Sequence, residues 1–436
     1  MKVLMFGWEY PPSISGGLGT ACYGITQGLL HNNVEVTLVL PTAKGIPPTD
    51  NENLKIIGAD RIGLSSDFKE RLGKTFTLEK GQEMFSPLLS PYDTALSAED
   101  VLVDYRKIVE ELNRKGSDTI LSFTGNYGRD LMAEVFRYSI IGEYLGLTEQ
   151  FDIIHSHDWM TMLAGLGAKR TSGKPFIAQI HATEFDRSGE SANDNICNLE
   201  RYGLQQADRV IAVSYYTKNL VVEKYGLDPH KITVIHNAVE KDKQLERLGI
   251  KKNLDEKYVL FLGRVTMQKG PDYFIEAANL VLQKLSNVRF IMAGSGDMMP
   301  KLIERAASLK ITDRFHFTGF LNNRQQVERM YAMSDLYVMP SVSEPFGITA
   351  FEAIIYDVPI ILSKQSGVSE VLKGAMKVDF WDVPKLASAI VNLLENENLA
   401  REMVNNCKNE LQSIHWNTAG SKMKNLYHTQ LFANNL

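Results

Sequence analysis

Two series of short strands, rich in Val, Ile and Leu and alternating with longer segments of helical period, constrain this chain more than any other feature. Parallel strands cannot be joined by a tight turn. They need a crossover of a dozen or more residues, usually a helix, so the alternation predicts parallel sheets in an α/β protein. The first series reads Lys2–Gly7, Val34–Leu40, Phe151–Ser156, Pro175–Ile180, Arg209–Ala212 and Ile232–Ile235. The second begins at Tyr258 and continues through Val288–Ala293, Arg314–Thr318, Asp335–Met339 and Val358–Leu362. Between them, residues 240–256 are highly charged and poor in β-branched side chains, the composition of an exposed linker. Two domains are therefore expected, 1–239 and 257–415, with a last segment of helical period from Trp416 to Phe432.

At 436 residues the chain has room for both domains, and its net charge of −5 gives no basic footprint for nucleic acid. Cys22, Cys197 and Cys407 stand far apart without metal-ligand spacing, so buried reduced thiols are expected, which favours the cytosol. No signal peptide is read before the first strand and no apolar run approaches bilayer length, so a soluble cytoplasmic protein is expected. The basic stretch Lys69–Lys74 reads as a solvated helix face, with contact to an anionic membrane or a glucan as the weaker alternative. Residues 50–120 carry no legible chemistry: Ser86–Asp93 is broken by prolines and Ala98–Asn113 reads as a helix with charges of both signs.

The chemistry lies in two motifs of the second series. Ser341–Glu352, S-V-S-E-P-F-G-I-T-A-F-E, follows a strand. Gly347 lets the backbone turn there, so the N–H groups of the helix start at Ile348 and Thr349 point outward and suit a phosphate. Glu344, just before the helix, can accept from sugar hydroxyls, while Glu352, about two turns along, can reach a ribose. In Tyr258–Gly270, Y-V-L-F-L-G-R-V-T-M-Q-K-G, Arg264 and Lys269 follow a strand end, where a guanidinium and an ammonium can clamp a diphosphate. These carboxylates suit binding more than proton transfer, and the flanking acid pair of a glycosidase is not evident. No D-x-D or His cluster has metal-ligand character, so no metal is expected. Gly294-Ser295-Gly296 is only a fragment of a dinucleotide-binding turn, and no sequence context marks a lysine for pyridoxal phosphate.

The R-x4-K and E-x7-E pair resembles that of retaining glycosyltransferases of the family 4 and 5 type, especially the group containing glycogen and starch synthases. Met1–Thr20 resembles that family's first strand and double-glycine loop, here Gly16 and Gly17. His155–Trp159 resembles its H-x-H-D-W strand end, and His181 in Q-I-H-A-T-E-F-D-R matches its active-site histidine. Asn237 in I-H-N-A-V matches its asparagine at the domain junction, and the resemblance covers nearly the whole chain apart from about 50–115.

The resemblance implies the GT-B fold: two facing Rossmann-like domains with an interdomain cleft, the final segment 416–436 packing back on the first. It implies transfer of glucose, with retention, from UDP-glucose or ADP-glucose to an α-1,4-glucan, without a metal. His181, Arg264, Lys269 and Glu344 would be catalytic. Gly16, Gly17, Asn237, Phe346, Gly347, Ile348, Thr349 and Glu352 would bind the donor, and Phe320 would stack on its base or else belong to a core. Asp158 and Trp159 either shape the acceptor side or cap and pack the following helix. Tyr127 matches an active-site tyrosine loosely and reads equally as a turn residue. Two departures bear on the donor. Ile14 stands where ADP-glucose synthases carry lysine, and Glu352 is present where they usually lack it, so UDP-glucose is at least as plausible. Other readings are a transferase acting on a lipid, sugar or sugar phosphate, and a non-catalytic nucleotide-sugar-binding protein.

Overall fold

The computed structural model describes residues 1–12, 16–75, 108, 112, 119–128, 130–239 and 256–433. The expected linker, apart from Glu256, lies outside the described residues, as do Ser86–Asp93, Ile14 and, save for Ile108 and Leu112, the expected helix Ala98–Asn113.

Both strand series form parallel sheets, as the alternation requires. The first contains β1 (Lys2–Phe6), β2 (Glu35–Leu40), β3 (Leu54–Gly58), β6 (Ile153–His157), β7 (Phe176–Ile180), β8 (Arg209–Ala212) and β9 (Ile232–Val234), in the order β3-β2-β1-β6-β7-β8-β9. The second contains β10 (Lys257–Leu262), β11 (Val288–Ala293), β12 (Phe315–Gly319), β13 (Leu336–Met339), β14 (Ile360–Ser363) and β15 (Met376–Val378), in the order β12-β11-β10-β13-β14-β15. A short antiparallel pair joins β4 (Gly63–Leu64) to β5 (Thr119–Ile120). Strand ends move by a residue or two from those expected. The sequence reading missed β3, whose L-K-I-I-G carries a lysine in a polar surrounding, and β15, which has three residues.

Strand order decides where a ligand can sit. In each sheet the chain starts near the middle, builds outward on one side, then returns to build on the other, so β1 lies beside β6 and β10 beside β13. Helices leave in opposite directions at these switch points, and a crevice opens beyond the carboxyl ends of the strands. Arg264 and Lys269 after β10, Glu344 and Gly347 after β13, and His181 after β7 all follow such strand ends.

Burial on both faces fixes the first sheet. Val3 and Met5 of β1 join a cluster with Leu29, Trp416 and Tyr427, while Leu4 and Phe6 join one with Tyr138 and Met162. Successive residues of a strand point to opposite faces, so one short strand anchors two helix layers. The second sheet packs around Phe261, Phe274, Phe290 and Phe351.

The helix Trp416–Ala433 packs on the helix Gly17–His31 of the first half. Gly24 admits it: a Cβ there would stand 2.0 Å from the Trp416 ring. Asn32 Nδ2 donates to Asn417 O at 2.9 Å, and Lys424 Nζ to Asn32 O at 2.7 Å.

Glu256, at the end of the expected linker, accepts from Arg289 Nε at 2.9 Å and Arg314 at 2.6 Å, which ties the start of β10 to its neighbours. One reading needs correction. Lys69, expected on a solvated face, is buried, and its ammonium donates to Thr119 at 2.9 Å. The three cysteines are free and buried. No helix among the described residues is long and apolar enough to cross a membrane.

Candidate active site

On the second sheet, the loop after β10 carries Arg264 and Lys269. Its path depends on glycine, because a Cβ at Gly294 would come within 1.8 Å of Gly263 O and one at Gly296 within 2.2 Å of Val265 O. The G-S-G fragment thus lets two strand-end loops touch. Lys269 Nζ donates to Glu344 Oε2 at 2.6 Å, and Arg264 donates to Gln268 Oε1 at 2.9 Å. Ser341 Oγ donates to the same Glu344 oxygen at 3.1 Å. Lysine and glutamate from the two motifs therefore meet as an ion pair, Glu344 buried and Lys269 partly exposed.

Gly347 follows with φ of 101°, a conformation that excludes a Cβ without strain, and the helix Ile348–Ile355 begins immediately. No side chain caps that helix. The N–H groups of Ile348 and Thr349 have no intrahelical acceptor, so this end is suited to an anion. Phe346 is buried rather than open to a ligand, packed against Phe351 and His236. Glu352 is engaged by Arg324 and accepts from Tyr331 OH at 3.1 Å. To meet a ribose it would have to share or exchange the Arg324 pairing. Phe320 is 62% exposed, which removes the core reading and leaves a ring available for stacking.

On the first sheet, His181 lies just beyond β7. Its backbone N–H donates to Asp158 Oδ1 at 2.6 Å, and its ring Nε2 lies 3.0 Å from His157 Nδ1. Burial holds its pKa below the ordinary histidine range, against the opposing pull of Asp158. Asp158 has φ of 60° and ψ of 171°, a region costly for a side-chain-bearing residue, roughly 1–3 kcal/mol. Its surroundings offset that cost: the N–H donates to Gln179 O at 2.9 Å and the carbonyl accepts from Thr161 N at 3.1 Å. Of the two readings offered for Asp158, the side-chain cap is not found. Its carboxylate makes no cap on the following helix and instead holds the His181 loop. Trp159 is buried in the core beneath, which answers the packing reading and not the acceptor one.

The two halves meet through hydrogen bonds that the sequence did not announce. Ser343 Oγ, one residue before Glu344, donates to Asp186 Oδ1 at 2.5 Å. Asp186 also takes Thr183 N at 2.7 Å, closing a capping box that shapes the loop after His181. Ser214 Oγ donates to Pro345 O at 2.6 Å. Glu370 accepts from Tyr215 N at 2.9 Å, Tyr216 N at 2.6 Å and His236 Nε2 at 3.0 Å, so a carboxylate of the second half caps a helix of the first. The only sequence signal for these contacts was serine and carboxylate beside the motif residues.

The remaining expected residues sit further out. A Cβ at Gly16 or Gly17 would meet nothing within 4 Å among the described residues, so both leave open space beside the loop. Asn237 is buried and lines a cavity of about 250 Å³ with His236, Glu370 and His415 at the junction of the halves. Tyr127 is half exposed and donates to Glu9 Oε1 at 2.5 Å, a contact beyond an ordinary turn residue. Among the described residues, no group of three or more His, Cys, Asp or Glu side chains is arranged to hold a metal ion.

A family described as "Glycosyl transferases group 1" matches residues 242–410, and one described as "Glycosyltransferase Family 4" matches residues 113–243. An uncharacterised glycosyltransferase of Methanocaldococcus jannaschii is 28% identical over 98% of each chain. The glycogen synthase of Mycobacterium tuberculosis is 23% identical over 98% of this chain and 94% of its own. Among solved structures, sucrose-phosphate synthase from Thermosynechococcus elongatus superposes with a TM-score of 0.69 at 16% identity over 99% of each chain. Anabaena HepE, solved with UDP-glucose, superposes with a TM-score of 0.63 at 16% identity over 98% of this chain and all of its own.

Proposed function

The chain belongs to the glycosyltransferases with the GT-B fold, and from that premise we propose that it moves glucose from UDP-glucose or ADP-glucose to the non-reducing end of an α-1,4-glucan, with retention of configuration. One observation carries this reading: Ser343 and Asp186 join the loop of Lys269 and Glu344 to the loop of His181, so charge for a diphosphate and a polar group for a sugar face one cleft. The nucleotide complex of the HepE neighbour supports a nucleotide sugar as the donor. The glycogen synthase relative, aligned over nearly the whole chain, supports the glucan.

The diphosphate lies against Arg264, Lys269 and the start of the helix Ile348–Ile355. Phe320 stacks on the base, and Glu352 reaches the ribose by trading part of its contact with Arg324. As the bond from the anomeric carbon to the phosphate oxygen breaks, negative charge grows on the leaving group. Donors fixed there stabilise it more in the transition state than in the ground state. The acceptor hydroxyl oxygen bonds to the anomeric carbon on the same face, and its proton passes to the departing phosphate. No metal is required, and closure of the halves about the junction near Asn237 keeps water from the activated donor. Buried free thiols at all three cysteines support a cytosolic setting.

A second reading keeps the donor chemistry and changes the acceptor to a lipid, sugar or sugar phosphate. It is favoured by Trp159, which lies in the core, and by Asp158, which turns to the His181 loop, since neither is then free to shape a glucan site. Nucleoside diphosphate release from UDP-, ADP- and GDP-sugars, with and without glycogen and with Glu344→Ala as control, separates the two. Glycogen-dependent release from one glucose donor, lost in the control, supports the first; release indifferent to glycogen supports the second.

A further inference from the structure

His181 ends a buried line of aromatic side chains. His155 and His157 stand two apart on β6 and leave the same face of the sheet. Their ring centroids are 4.4 Å apart. His157 Nδ1 lies 3.0 Å from His181 Nε2, and at the other end His155 Nδ1 lies 2.7 Å from the phenol oxygen of Tyr427 on the helix Trp416–Ala433. Burial holds all three imidazoles below their ordinary range, so each is neutral and carries one ring proton.

We infer that His157 sets the tautomer of His181: His157 Nδ1–H donates to His181 Nε2, leaving the His181 proton on Nδ1 as a donor to the sugar being transferred. This rests on the reading above, in which His181 faces that sugar.

The alternatives are two. The proton in the 3.0 Å contact belongs to His157 or to His181, and in either case one outer ring nitrogen keeps a proton and the other a lone pair. Both outer atoms, His157 Nε2 and His181 Nδ1, are buried without a partner among the described residues. What differs is where the unmatched N–H sits. On His157 it would be locked inside the sheet, at a residue with 0% exposure. On His181 it sits at the carboxyl end of β7, at a residue 9% exposed beside the cleft, its Nδ1 covered in this structure but, on the reading above, next to the place where a sugar oxygen comes to accept it. A buried orphan N–H is rarer than an under-satisfied acceptor, so the proton belongs on the ring nearer the ligand.

Neighbouring contacts hold the pair in place. Asp158 holds the His181 backbone at 2.6 Å, β6 holds His157, and Tyr427 fixes His155 against the His157 ring. His157 touches no substrate in this scheme and is a positioning residue. It makes the first histidine of the pair a selector for an oxygen acceptor at the sugar, a gain realised only when donor is bound.

The test is a long-range proton–nitrogen spectrum of the full chain labelled with [¹⁵N]histidine, without donor, at neutral pH. Signals are assigned from His181→Gln and His157→Asn. The expected result is a protonated Nδ1 and an unprotonated Nε2 at His181; the proton on Nε2 overturns the inference. Turnover adds a second readout. His157→Asn keeps an N–H within reach and is expected to hold kcat within a few-fold, whereas His157→Asp can only accept and lowers kcat about 10- to 100-fold at little changed donor KM. Equal losses in the two variants would also overturn it. If His157→Asp does not fold, the spectrum of the unsubstituted protein decides alone. A chain that turns over no nucleotide sugar yet shows the Nδ1 proton keeps the tautomer assignment and loses the proposed function.

Discussion

The two halves of the cleft are built from different materials. On the first-sheet side, His155, His157, His181 and Asp158 are buried, and the histidines are neutral. On the second-sheet side, Lys269 pairs with Glu344 and Arg324 with Glu352, and the cations keep part of their surface in solvent. A neutral buried network holds geometry and tolerates no loss of partner. Partly exposed ion pairs hold charge cheaply and can exchange a carboxylate for a phosphate. The contrast suits a donor whose sugar must be oriented and whose diphosphate must be neutralised as it leaves.

The largest expected effect tests the charged side. Lys269→Ala should lower kcat by about 10² to 10³, the usual cost of removing one donor from a developing anion, with a far smaller change in thermal midpoint. Steady-state kinetics beside a melting curve checks it. A large loss of folding without a change in kcat would put Lys269 on the structural side of the comparison.

Acidification should strike the neutral side next. Below about pH 6.5 the unfolded chain binds protons that the folded histidines refuse. Stability is therefore full above that value and falls as pH drops towards the folded values, which for His155 lies at about 3. Each histidine contributes up to about 1.4 kcal/mol per pH unit in that window. Calorimetry at pH 7 and pH 5 should show this loss, offset in part by Glu200, whose carboxyl burial pushes up to about 7. A His155→Gln variant should give a flatter dependence.

Asp158→Ala removes the carboxylate that holds the His181 and Ala182 N–H groups. It should cost about 1–3 kcal/mol of stability, because a buried donor is left unmatched, and urea unfolding measures it. Activity should fall with it, since the His181 loop loses its anchor.

The smallest effect belongs to the exposed rim. Arg324→Ala should change stability by no more than about 1 kcal/mol while altering donor KM, through a Glu352 carboxylate freed from its partner. A change in KM that vanishes at high salt would confirm the electrostatic origin.

The charged half was the more legible of the two in the sequence. Arg264, Lys269, Glu344 and Gly347 stand in short motifs at strand ends, where backbone geometry alone brings them to the switch point. The neutral half was legible only as fragments. H-x-H-D-W and His181 were visible, but nothing in their spacing says that β6 and β7 would set His157 beside His181, or that Tyr427, from the far end of the chain, would meet His155. Contacts such as Ser343 with Asp186 join residues 157 apart and depend on how the two sheets face each other. Local pattern carries no record of that arrangement. Trp159 shows the converse: beside a recognisable motif, it is ordinary core.

The central claim is that glucose leaves its diphosphate and joins the acceptor on one face, with charge stabilised by the second half and the sugar held by the first. Its most direct test is the configuration of the product formed from UDP- or ADP-[1-¹³C]glucose and a maltooligosaccharide, read by NMR while the linkage is new. An α-linked glucosyl unit at the non-reducing end is the expected result. A β-linked product, or label released only as free glucose, would contradict it.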